Sequence, residues 1–137
     1  MADEAVLKWE LEPAIPMTCS NTTGIEKGAI LEISDPFTVA TTNGDSDKII
    51  GIAAEEKIAN DGKTTIPVYL RGVFIFTAGA GGITVGRAFR TDTATGSANE
   101  VVIAAANEEG IIGTALETAT DRETFYGLLN PINPVLA

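Results

Sequence analysis

A glycine-rich segment, Thr77-Ala78-Gly79-Ala80-Gly81-Gly82, follows an apolar run, which is where nucleotide-binding loops cradle phosphates. A Walker loop needs a Gly-Lys-Ser/Thr step, whose lysine reaches the terminal phosphates. Here Gly86 is followed by Arg87 and Ala88. A dinucleotide fingerprint starting at Gly79 needs a glycine at position 84, which is Thr84. Phe89-Arg90-Thr91-Asp92-Thr93 then reads as strand and turn, so no helix N-terminus stands ready for a pyrophosphate. The segment reads as a plain glycine loop.

Carboxylates are the other candidates. Glu55-Glu56, Glu108-Glu109 and the Asp45-Ser46-Asp47 step carry the oxygen ligands that hard cations prefer. The Asp45 step departs from a calcium loop after its second ligand, and no flanking helices frame it. A solvated acidic surface is the simpler reading, and no metal or other cofactor is expected. Two carboxylates across a cleft would serve glycoside hydrolysis, but one tryptophan and a short chain leave little to build a sugar cleft. The chain has no histidine, which removes Ser-His-Asp and Cys-His nucleophiles and His-ligated zinc. Its single cysteine, Cys19, lies between Thr18 and Ser20 with no basic neighbour to activate it, and it has no disulfide partner in the chain. No catalytic residue is expected, and the reading is a non-enzyme.

The charge balance narrows the partners. Nine Lys and Arg against nineteen Asp and Glu give −10, which disfavours nucleic acid and anionic membrane surfaces. Arg71, Arg87 and Arg90 lie in or beside β segments and are candidate subunit-interface residues, because arginine suits ion pairs across a boundary. Taken singly, each reads as an ordinary surface residue. The first twenty residues lack a basic region followed by an apolar run, so no secretory signal is expected. No apolar stretch approaches the ~18 residues of a membrane-spanning helix. At 137 residues, with 45% hydrophobic and 20% charged, the chain fits one domain with its own core.

The elements that position these groups are short strands. Leu7-Lys8-Trp9-Glu10-Leu11-Glu12 alternates apolar and charged, which places Leu7, Trp9 and Leu11 on one face at a period of two. Pro13 and Pro16 then interrupt the pattern. Ala29 to Ile33, Phe37 to Ala40, Ile66 to Thr77, Val101 to Ile103 and Thr124 to Leu129 read as strands. The Asn43-Gly44-Asp45 turn closes the second of them, and Gly72 marks a bulge or bend within the third. Lys48 to Ala59 is open between helix and strand. Gly51 inside a helix would cost about 1 kcal/mol relative to alanine, which favours a strand up to Ala54.

An internal echo runs through these strands. Gly24-Ile25-Glu26-Lys27-Gly28 is answered by Gly82-Ile83-Thr84-Val85-Gly86, and Ile49-Ile50-Gly51-Ile52-Ala53-Ala54-Glu55 by Ile111-Ile112-Gly113-Thr114-Ala115-Leu116-Glu117. Each pair is followed by an aromatic, glycine-bearing strand. The expected architecture is all-β: a small β-barrel or β-tulip-like domain with internal duplication over residues 23–137, and an extended N-terminal arm over residues 1–22.

The run Lys48-Ile49-Ile50-Gly51-Ile52-Ala53-Ala54-Glu55, the polar turn Asp61-Gly62-Lys63-Thr64-Thr65 and the strand Ile66-Pro67-Val68-Tyr69-Leu70-Arg71-Gly72-Val73-Phe74 resemble the head decoration protein family of bacteriophage lambda. They also resemble the capsid cement proteins of tailed viruses more broadly, as does the Gly82 to Gly86 turn. The match covers about half the chain, and the tail Asn130-Pro131-Ile132-Asn133-Pro134-Val135 has no counterpart. The resemblance implies a structural virion protein on the outside of the expanded capsid, present in host cytoplasm during assembly. It implies a homotrimer that clamps neighbouring subunits of the major capsid protein. Val6, Leu7, Trp9, Leu11 and Ile15 would then form the capsid-binding arm, the strand adding to a capsid sheet while Trp9 fills a pocket. A head-fibre or tail module, and a stand-alone carbohydrate-binding β domain, are the competing readings.

Overall fold

The computed structural model describes residues 3–42, 48–92, 99–104 and 110–132. The Asn43-Gly44-Asp45 turn, the Asp45/Asp47 and Glu108/Glu109 clusters and the tail from Asn133 lie outside the described residues. Among the described residues eleven strands follow in chain order: β1 (Val6–Glu10), β2 (Ile15–Thr18), β3 (Ile30–Asp35), β4 (Thr38–Thr41), β5 (Ile49–Ala53), β6 (Thr65–Tyr69), β7 (Gly72–Ala78), β8 (Ala88–Thr91), β9 (Glu100–Ile103), β10 (Ile111–Ala115) and β11 (Thr124–Ile132). Among the described residues there is no helix; of the segment open between helix and strand, Ile49–Ala53 is β5, and the rest is a bend and the Lys57 bridge to Ile25.

These strands close into two barrels of five. The first runs β2-β4-β3-β5-β6 and back to β2. The second runs β7-β11-β10-β8-β9 and back to β7, with β1 laid along the first half of β7. One is a copy of the other. β2 to β6 correspond in order to β7 to β11, each barrel closes by one parallel pair (Thr18↔Thr38 and Thr77↔Glu100), and all its other pairs are antiparallel. The echoed turns occupy matching places: Ile25 bridges Lys57 as Ile83 bridges Ala119. Gly28 donates to the Ala53 carbonyl as Gly86 donates to that of Ala115.

The echoed glycines of the Ile-Ile-Gly step serve one purpose twice. A Cβ on Gly51 would lie 2.2 Å from the Tyr69 carbonyl oxygen, and one on Gly113 1.7 Å from that of Leu128. Each lets its strand cross its neighbour at a distance no side chain permits.

Prolines hid β2 from the sequence reading. Pro16 faces Pro67 in the antiparallel β2–β6 pair. The Cys19 N–H donates to the Thr64 carbonyl, so counting along the register puts Pro16 and Pro67 in a non-hydrogen-bonded pair, where neither strand needs the missing donor. Gly72 is not a bulge either. It stands in register with Glu10 and Leu129, and the bend falls at Leu70 and Arg71, where the chain leaves the first barrel for the second. A Cβ at Gly72 would meet the Phe74 ring at 2.9 Å, so packing holds the glycine there.

The two cores differ in kind. The second barrel is filled by Phe74, Phe76, Phe89 and Phe125, with Phe76 and Phe89 edge to face at 4.9 Å. The first holds aliphatic and sulfur side chains: Met17, Cys19, Leu31, Val39, Ile66 and Val68. Ile30, Ile49 and Ile52, from strands of the first barrel, join the aromatic core of the second. The two cores stay separate, and these isoleucines pack the first barrel against the second. Asn99 Oδ1 accepts the Ile30 N–H across that boundary at 3.2 Å.

Candidate functional site

The N-terminal segment is built into both barrels. The Ala5 N–H donates to the Gly28 carbonyl of the first, β1 pairs antiparallel with β7 of the second, and β2 is a stave of the first. The expected boundary after residue 22 thus falls inside folded structure rather than at the root of an extended arm.

A β-bulge decides where the side chains of β1 point. Val6 pairs with Ile75 and Leu7 with Phe74, but Trp9 pairs with Val73, which leaves Lys8 as the extra residue. One inserted residue reverses the alternation. Leu7 therefore turns inward against the aromatic core, while Val6 and Trp9, three apart in sequence, share the outward face at 58% and 54% exposure. The expectation that Leu7, Trp9 and Leu11 share a face is corrected by that bulge. Leu11 is exposed in the turn after β1. Ile15 packs against the core of the first barrel, so it is not available as an arm contact.

The outward side chains form two rows across the second barrel. The first reads Val6, Ile75, Tyr126 and Leu116, through the register of β1, β7 and β11 and the Leu116 N–H bond to the Tyr126 carbonyl. The second reads Trp9, Val73, Leu128, Thr114 and Ala88. The Trp9 ring meets Tyr126 edge to face at 5.8 Å, and the Lys8 ammonium lies 5.5 Å from the Trp9 centroid. An antiparallel barrel ordinarily presents polar side chains outward. This wall is apolar across β1, β7 and β11 and at Leu116 just after β10, with Thr114 the exposed polar member of the second row, and neither row contains a carboxylate. Charges of both signs border it: Glu117 and Glu123 are exposed beside it, and so are Arg87, next to Ala88, and Arg122, next to Glu123. Thr120 holds the Glu123 carboxyl below its ordinary range through its hydroxyl and backbone N–H.

Ile75, Tyr126, Leu128 and Leu116 were not singled out from the sequence. A signal was present in Val73 to Phe76 and Phe125 to Leu129, which are apolar on both faces rather than alternating. Both walls of such a strand ask for cover.

The remaining candidates resolve separately. Arg71, at the bend between the barrels, lies 3.6 Å from Glu12 with both side chains half exposed. Arg87 is exposed before β8 and Arg90 half-buried within it. In the glycine loop the Gly79 N–H donates to Val101 and that of Gly82 to Gly79; the loop is a turn whose donors serve the fold. Burial pushes the Cys19 thiol above its usual range. Lys57, buried in the first barrel where the second has Ala119, donates to the carbonyls of Asn21 and Ile58 and to Asp61. No group of three metal-ligating side chains occurs among the described residues.

Known proteins agree with this architecture. The fold resembles that of the head fiber gp8.5 N base of bacteriophage phi29, with a TM-score of 0.52 and 15% identity over 85% of this chain and 92% of that one. No curated protein matches the sequence. The sequence profile of the phage cement proteins matches residues 10–129, which takes in both barrels and begins at the last residue of β1. That match supports the broader of the two expected resemblances and not the lambda decoration family in particular. The chain belongs to the phage cement protein family, structural proteins associated with the phage capsid.

Proposed function

We propose that the protein binds the outer surface of the expanded capsid and clamps neighbouring major capsid subunits, as a homotrimer on the virion exterior that is present in host cytoplasm during assembly. The observation that carries this reading is the exposed Trp9 on β1, set in an apolar wall of a strongly acidic molecule. Apolar patches of this kind mark protein contacts, and a half-exposed tryptophan is the side chain most suited to anchor one. Val6, Trp9 and Leu11 make the N-terminal contact, while Leu7 and Ile15 hold their segment in place from inside.

The free edge of β1 supports the same reading. Both barrels are closed, so their staves present few unpaired backbone groups. Among the described residues β1 is paired on one side only, along β7, and an edge of this kind can accept an extended segment of a capsid subunit. Identical weak contacts repeated around an oligomer then add through effective concentration.

Co-sedimentation with expanded and unexpanded capsids tests the proposal. Saturable binding to the expanded form alone is expected, with sedimentation equilibrium giving three chains per particle of free protein. Equal binding to both forms, or none by folded protein, would remove the clamping role.

A further inference from the structure

We infer that the chain carries both halves of a strand-to-strand contact between copies, the free edge of β1 and an open edge of β2, and that Pro16 keeps them from joining.

The two barrels, laid on one another, reveal the open edge. Thr18 pairs with Thr38 and Thr65, as Thr77 pairs with Glu100 and Thr124. Thr18 therefore corresponds to Thr77, and counting back sets Met17 on Phe76, Pro16 on Ile75, Ile15 on Phe74 and Ala14 on Val73. Burial agrees. Ile15 and Met17 pack into the first core as Phe74 and Phe76 do into the second, while Pro16 is exposed. On β7 the stretch from Gly72 to Ile75 is covered by β1. On β2 the corresponding side, facing away from β6, has no strand beside it before Thr18 among the described residues. The first barrel leaves open the place that β1 fills on the second.

Such an edge is a template for a further strand, and its counterpart shows that a strand like β1 fits it. A second copy presents that strand without unfolding, since among the described residues its β1 is paired on one side only. The two edges differ, so the contact runs head to tail, and copies joined this way extend into a chain unless the rotation closes a ring.

The donors of β2 show what prevents it. The Thr18 N–H donates to the Phe37 carbonyl beside β4, and the Cys19 N–H to Thr64 beside β6. Donors alternate along a strand, so Met17 turns its N–H to β6 while positions 16 and 14 turn theirs to the open edge. The position matching 16 on β7 is Ile75, which pairs with Val6 of β1. Here it is proline, which has no N–H to give and sets its ring against an incoming strand. Only Ala14 keeps a donor on that side. Pro13 matches Gly72 and faces β6, so it takes no part in the block.

The test uses full-length protein without capsids, as wild type, Pro16→Val and Pro13→Val. Circular dichroism melts establish that each is folded. In sedimentation velocity over a concentration series, Pro16→Val is expected to grow into larger species, with a weight-average mass about twofold or more above that of wild type. Pro13→Val should sediment as wild type does. Hydrogen exchange of the wild type gives a reading that needs no variant: the Ala14 amide should exchange about a hundredfold or more faster than that of Met17. In associated Pro16→Val the Ala14 amide should slow. Wild-type sedimentation of Pro16→Val at every concentration would overturn the role of Pro16. A slow Ala14 amide in wild type would overturn the open edge. Equal growth of Pro13→Val, or growth of Pro16→Val with Ala14 still fast, would move the new contact away from β2 and overturn the inference.

Discussion

Replacing Gly113 with alanine is the sharpest test of the duplicated-barrel architecture. The new Cβ would stand 1.7 Å from the Leu128 carbonyl oxygen and 2.8 Å from its carbon. Both are backbone atoms, held in the β10–β11 pair, and cannot swing aside as a long side chain would. Relief requires β10 and β11 to separate by more than 1 Å at the crossing. Overpacking of this kind costs about 1–3 kcal/mol, and about two ladder hydrogen bonds stretched or lost add roughly 1 kcal/mol each. The expected destabilisation is about 3–5 kcal/mol, a large share of the roughly 5–15 kcal/mol typical of a domain. Gly51→Ala, at the matching crossing of the first barrel, meets the Tyr69 oxygen at 2.2 Å and should cost somewhat less. Gly62→Ala is the contrast. Its site is open, with a φ of +85°, so only the left-handed backbone opposes it, at about 1–2 kcal/mol. Urea unfolding followed by circular dichroism gives all three values. A Gly113→Ala midpoint matching wild type, or a Gly62→Ala loss exceeding that of Gly113→Ala, would refute the close crossing.

Other outcomes follow from the same geometry. Trp9→Ala should cost only about 1 kcal/mol in urea unfolding, the worth of an edge-to-face contact on a half-exposed ring; a loss above 3 kcal/mol would place Trp9 in the core. Lys57→Ala should cost about 2–4 kcal/mol, because the buried ammonium satisfies two carbonyls and a carboxylate; a neutral effect in the same melts would refute that role. The Lys63 N–H, and after it the Lys57 ammonium, hold the Asp61 carboxyl below its ordinary range. Its contribution to stability is therefore complete above the unfolded carboxylate pKa near 4 and lost as pH falls through the lower folded value. Asp61→Asn should flatten that part of the stability–pH curve, and an unchanged acid limb would contradict it. Cys19, 3% exposed with its thiol pushed up by burial, should resist a thiol reagent in native protein and react once per chain when unfolded. Rapid native labelling would contradict the closed first barrel.

Much of the fold was legible because β-branched runs between turn residues mark strands without reference to partners. Ile66 to Tyr69 reads in this way, whereas Ile49 to Ala53 is tipped from helix to strand by Gly51. The recurrence of the Gly24 and Gly82 turns, each ahead of an Ile-Ile-Gly step, already implied a repeated unit, and the two barrels match turn for turn. What stayed hidden depends on pairing. Pro16 looks like an interruption until Pro67 is seen opposite it. The alternation from Leu7 to Leu11 looks like one face until the register with β7 shows Lys8 to be extra. The buried place of Lys57 has no local sign, since its acceptors come from Asn21, Ile58 and Asp61 once the chain has folded back. The wall was half legible. Trp9 stood out by type, whereas Tyr126 and Leu116 acquire their position only from neighbouring strands.

The central claim, a clamp docked through Trp9 on the outside of the capsid, is tested most directly by a cryo-electron-microscopy reconstruction of expanded capsids saturated with the protein. The expected map has paired-barrel density outside the shell, spanning neighbouring capsid subunits, with Val6, Trp9 and Leu11 against the capsid. Density bound through another surface, with Trp9 open to solvent, would contradict the account, as would a shell without added density.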